Sequence, residues 1–218
     1  MWPINFFSAN AIVTIYPMLE ISSCLGLLAG LIHLSSYALY NRQMLTGASR
    51  PNTTTWLLWT FLAGLNAASY LIMSADWAKS VTPIAGAAAC AVTLTLAASK
   101  GKLSRLSRFD GVILAIGSTA GLIWWVSRDA AWANLLLQVA FLISNIPTFR
   151  GVWRDPLTEK PLAWFGFGLA YIISLIVVVL RWQGQWIDLA YPLCSLLADG
   201  GVGAVCVLRR WQRGLKLF

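Results

Sequence analysis

Few residues in this chain can do chemistry, and most of those lie inside long apolar runs. Asp199 falls about twelve residues into the last run, with Ser195 one turn ahead of it on the same helical face. An aspartate at the centre of a membrane helix costs about 2.5–3.5 kcal/mol on insertion scales. Such an acid is expected to work as a substrate hydrogen-bond acceptor, a cation contact or a proton carrier, against the alternative of a structural acid held by a hydroxyl or backbone donor. His33 is the single histidine, and Tyr37 and Tyr40 follow it at helical spacing. Alone it cannot build a bis-imidazole haem site or a histidine-rich metal site. It could carry a proton, although a neutral imidazole bonded between helices is the favoured reading.

Asn66 and Tyr70 lie four apart and share a face. An amide beside an aromatic ring can hold a polar solute by hydrogen bonding and stacking, or tie two helices together. Asn134, Gln138 and Asn145 form a second polar stripe, within about 40° at 100° per residue. That stripe is expected to join helices rather than to hydrate a path. No catalytic set emerges: HExxH, GxSxG and paired carboxylates within a span are all missing from the sequence. A retinal protein is excluded because the last span has no lysine. Cys24, Cys90, Cys194 and Cys206 all sit in apolar runs with no metal or disulfide spacing, where cysteine behaves as a small hydrophobe. No cofactor and no metal are expected.

These residues need a scaffold, and composition says which. Only 11% of the 218 residues are charged and 58% are hydrophobic, whereas a soluble domain carries about 25% charged residues. Mean hydropathy is +0.69. Many of the twelve tryptophans fall near the ends of apolar runs, the habit of side chains that anchor at the lipid headgroups. Trp56 and Trp164, which open two such runs, read as anchors of this kind. The net charge of +8 lies in short loops and reads as a topology signal, not as a nucleic-acid footprint.

A membrane helix needs about 20 apolar residues. Seven runs qualify: 19–40, 54–74, 81–99, 109–127, 131–149, 162–182 and 188–208. They lack the alternation of barrel strands, so the expected class is an all-α polytopic membrane protein. Thirteen Lys and Arg fall on one side, among them Arg42, Arg150, Arg154 and Arg209, and only Lys79, Arg128 and Arg181 on the other. That bias puts the C-terminus in the cytoplasm and the N-terminus outside. The Arg42 and Arg150 pair is expected to fix orientation and bind lipid phosphate. A gating pair of arginine with Asp155 or Glu159 is the alternative.

The runs also repeat. A shift of 108 brings Ser36, Arg42 and Trp56 onto Ser144, Arg150 and Trp164, and a shift of 109 brings Trp77 and Pro83 onto Trp186 and Pro192. Spans one to three and five to seven thus read as parallel copies about a lone fourth span, a 3+1+3 plan. The expected divisions are an outer N-terminal segment 1–18, a first three-helix bundle 19–99, a linker helix with its loops 100–130, a second bundle 131–208 and a basic cytoplasmic tail 209–218.

The stretch IPTFRGVWRDPLTEKPLAWF, residues 146–165, resembles the PQ-loop and SWEET superfamily of seven-helix transporters in its helical proline, basic turn and aromatic-rich helix. Pro147–Thr148 stands where that family often has Pro–Gln, and Leu39 occupies one of the four hinge-proline places. The resemblance implies a route between the two bundles, with hinges at Pro147, Pro161 and Pro51. It implies a solute site lined by Asn66, Tyr70, Cys90, Ser174 and Asp199, with Asp199 and then His33 as proton carriers if transport is coupled. The expected function is a transporter of a small polar solute by alternating access in a bacterial inner membrane, with a ligand-binding receptor or sensor on the same plan as the alternative. Expected partners are the solute and membrane lipids, with a homo-oligomer left open.

Overall fold

The computed structural model describes residues 9–49, 53–99 and 107–218. Pro51, one of the predicted hinges, lies outside them. The described chain is all-helical. Seven of its helical stretches are long and apolar enough to cross a membrane, and they mark the chain as an integral membrane protein.

The first is α1 (Ala9–Leu45), of which Met18–Leu45 meets the spanning criterion. At 1.5 Å per residue those 28 residues reach about 42 Å, past the roughly 30 Å hydrocarbon layer. The second and third are α2 (Thr53–Ser74) and α3 (Trp77–Ser99). α3 starts four residues ahead of the predicted 81, because Asp76 caps it: Oδ1 accepts from Ala78 N at 2.9 Å and Lys79 N at 3.4 Å. Lys79 is therefore a helix residue, not a loop charge.

The fourth is α4 (Arg108–Ser127), opened by a reciprocal Ser107–Asp110 capping box. The fifth is two pieces, α5 (Ala130–Ser144) and α6 (Ile146–Arg154), broken at Asn145 with Pro147 the second residue of α6. The sixth is α7 (Pro161–Leu180), with Pro161 at its first position, where the missing N–H is harmless. The seventh changes pitch along its length: a 3-10 turn at Trp186–Leu189, α8 (Ala190–Ser195), a π segment at Leu196–Gly200 and α9 (Gly201–Gln212).

α1 packs on α3 and α7, α2 on α3 and α5, and α4 on α5 and α2, while the seventh span packs against α5 and α7. Small residues let these helices close up, as expected where lipid supplies no hydrophobic drive. A Cβ on Gly26 would stand 2.6 Å from the Ala78 carbonyl oxygen, and one on Gly30 2.5 Å from Val81.

Polarity runs from the inside outward, as a lipid solvent demands. Ser69, Thr93, Asn134 and Gln138 are buried, while Leu31, Val126 and Val179 are exposed. Trp77, Trp132, Trp186 and Trp211 are exposed near helix ends, consistent with headgroup anchoring.

Candidate functional site: a polar and aromatic cavity between the helices

A partly enclosed cavity of about 50 Å³ lies among the spans. Its wall draws His33 and Tyr37 from α1, Trp56, Trp59 and Asn66 from α2, and Cys90 from α3. Gln138 comes from α5, Trp164, Phe167 and Tyr171 from α7, and Tyr191, Ser195 and Asp199 from the seventh span.

Asp199 sits inside the π segment and is only 7% exposed. Such segments are rare and often occur at functional sites. Two glycines follow it, and one lets the backbones approach: a Cβ on Gly168 of α7 would stand 3.4 Å from Gly200 Cα. Cys90 is 109 positions before Asp199, and both residues line the cavity. Its thiol lies 3.0 Å from Tyr37 Oη.

His33 is oriented by its partners. Nδ1 lies 3.3 Å from the Thr82 carbonyl, which can only accept, so Nδ1 carries hydrogen. In the neutral ring Nε2 is then an acceptor, and Tyr171 donates to it at 3.2 Å. Gly86 gives the imidazole its room, since a Cβ there would stand 2.9 Å from Cε1.

Asn66 reaches the cavity and also ties helices. Its Oδ1 accepts from Asn134 Nδ2 at 2.9 Å and from Gln138 Nε2 at 2.8 Å. The α5 stripe thus joins α5 to α2, and no partner of Asn66 Nδ2 is found among the described residues. Asn145 does not share that work: it is buried at the α5–α6 break, Nδ2 donates to Phe141 O at 3.0 Å, and Oδ1 has no partner among the described residues.

Two expected ligands are spent on the protein itself. Tyr70 donates to the Asp188 carbonyl at 2.7 Å. Pro192 has no N–H to give that carbonyl four residues back, so the tyrosine takes its place. Ser174 bonds Thr82 Oγ1 at 2.7 Å. Neither lines the cavity.

Trp56 and Trp164 correct the sequence reading more sharply. Each is 2% exposed and faces the cavity. Hydropathy sets where along a helix a residue stands, not which way it faces, so their place at helix starts suggested the headgroups. With Tyr37, Trp59 and Phe167 they close a ring of aromatic contacts. Centroid distances around it are 6.0, 5.0, 6.3, 5.9 and 4.7 Å in the order Tyr37, Trp56, Trp59, Trp164, Phe167 and back. All five are edge-to-face, the arrangement that ring quadrupoles favour.

Polar locks stand toward either end. At one, Lys79 Nζ meets Asp188 Oδ2 at 2.6 Å, with both side chains buried. Beside it Arg181 Nε meets Asp76 Oδ2 at 2.6 Å and its NH1 donates to Ser22 Oγ at 3.0 Å. The sequence reading missed these pairs, although the shift of 109 that relates Trp77 to Trp186 also relates Lys79 to Asp188.

At the other end Glu159 is buried in the loop before α7. It accepts from Tyr40 Oη at 3.2 Å and Trp164 Nε1 at 3.3 Å, and its carbonyl takes Arg210 NH2 at 2.9 Å. Burial pushes its carboxyl up to about 7, partly opposed by bonds from Trp164, Tyr40 and Ser49. Arg150 is exposed, and no ion pair joins it to Asp155 or Glu159 among the described residues.

No family model, curated protein or solved structure matches this chain. The site therefore rests on its own geometry.

Proposed function

We propose that this protein is a membrane transporter that moves a small polar solute by alternating access between two three-helix bundles. Spans one to three form the first bundle and spans five to seven the second, in a SWEET-like 3+1+3 plan with α4 as the bridge. The packing supports this reading. The α1–α7 and α2–α5 contacts are exchanged by the repeat, as expected of two like units facing each other.

The observation that carries the proposal is that Asn66 and Asp199, one from each bundle, line a single cavity, and that Lys79 and Asp188 pair across the same interface. A buried ion pair suits a gate. Its Coulomb gain is offset by desolvation, so it can part at modest cost once water enters. Arginine and lysine asymmetry puts that gate outside and Glu159 in the cytoplasm. The membrane in this reading is a bacterial inner membrane.

Counterflow in proteoliposomes tests the proposal. A solute that the purified protein binds should exchange across the vesicle wall. A receptor or sensor on the same plan would bind it and show no exchange.

A further inference from the structure

We propose that the solute is a small organic cation, an alkylammonium whose positive end seats on Asp199 within the aromatic ring. The inference rests on the transport reading only in taking the cavity as the solute's site.

Asp199 is the one carboxylate in the cavity wall, and neither lysine nor arginine lines it among the described residues. The two ion pairs among the described residues lie outside the cavity and leave Asp199 without a cationic partner there. A carboxylate in the middle of a membrane protein normally pairs with something, and here the missing charge is one the solute can bring. Cys90, the residue that the repeat sets in the equivalent place, is a neutral thiol engaged by Tyr37. The wall is thus acidic on one side only, which suits a solute with one charged end.

The second observation is the aromatic lining. Three tryptophans, Trp56, Trp59 and Trp164, belong to the closed ring, and tryptophan is the best of the aromatic faces for a cation. Desolvated contacts of this sort are among the strongest, and aromatic cages are the usual receptors for quaternary ammonium groups. An anion would meet a carboxylate and negative ring faces together. A sugar needs many donors and acceptors at once, yet Asn66 Oδ1 already takes two bonds and Gln138 Nε2 gives its hydrogens to Asn66 and Asn134.

Tryptophan fluorescence of the purified full chain in dodecyl maltoside tests this. The probes are tetramethylammonium, choline, 3,3-dimethylbutan-1-ol (the uncharged isostere of choline) and glucose. A saturable response to both cations is expected, with the isostere at least tenfold weaker. Asp199→Asn should weaken choline at least tenfold with the melting midpoint unchanged. If that variant does not fold, Asp199→Glu and Trp59→Leu are used, and each should weaken choline more than the isostere. The proposal is overturned if the isostere or glucose binds as tightly as choline, if neither cation gives a saturable response, or if folded variants bind choline as the parent does. Glucose binding alone would remove the cation assignment and leave transport standing. Choline bound but not exchanged in counterflow would support the assignment and remove transport.

Discussion

Lys79 and Asp188 touch at 2.6 Å and are 109 positions apart, the same shift that relates Trp77 to Trp186 and Pro83 to Pro192. A repeat-related pair thus holds opposite charges face to face. Removing one partner leaves the other buried and uncompensated, which costs up to about 3–5 kcal/mol. Lys79→Met should therefore lower the melting midpoint. The Lys79→Met/Asp188→Leu double variant should recover most of the loss, because replacing both charges leaves none unpaired.

Gly26 supports the α1–α3 contact by having no side chain. A Cβ would stand 2.6 Å from the Ala78 carbonyl oxygen, a backbone atom that can move only with its helix. Gly26→Ala should cost about 1–3 kcal/mol, the usual price of overpacking, and cut the folded yield in size-exclusion profiles. Gly64, with nothing within 4 Å of its added Cβ, serves as the control and should tolerate alanine.

Glu159 makes stability depend on pH. Its carboxyl titrates at about 7 in the folded protein against an ordinary 4.5, so the folded state holds the proton more tightly. The stabilisation is full below about pH 4.5 and is lost as pH rises through about 7, a span worth about 3 kcal/mol at about 1.4 kcal/mol per tenfold. Melting curves from pH 4 to 8 should show the parent losing stability relative to Glu159→Gln across that window. A difference that does not vary with pH would contradict this.

The Asn66–Asn134 bond joins α2 to α5 at 2.9 Å. A double-mutant cycle with Asn66→Ala and Asn134→Ala should give a coupling near 0.6 kcal/mol and no more than about 1.7, the range measured for bonds between membrane helices. Zero coupling would place the two amides in separate networks.

The seven spans were legible in the sequence because hydropathy is a local property. Span starts came within two residues except at α3, which the Asp76 cap moved by four, while the ends of spans one, five and seven lie four or five residues past the expected ones. Azimuth was less legible. A single sequence shows that Trp56 opens a helix, not that its ring turns inward, and it shows that Tyr70 shares a face with Asn66, not that Pro192 leaves a carbonyl for it to bind. Asn134 and Gln138 were readable as joiners because their spacing fixed a stripe. Asn145, on the same stripe, lies beyond the point where α5 stops. The π segment around Asp199 had no local signature, since it depends on how the seventh span fits against α7.

Alternating access requires a cavity that opens to one side at a time. In a chain whose Cys24, Cys194 and Cys206 are alanine, Cys90 is the one thiol left, and it lines the cavity. Labelling it in oriented vesicles with a membrane-impermeant maleimide, applied to one face and then the other, tests the claim directly. Lys79→Glu, which sets two carboxylates against each other, should raise labelling from the outer face several-fold and lower it from the cytoplasmic face by a similar factor. Labelling that rises from both faces together, or changes from neither, would contradict alternating access.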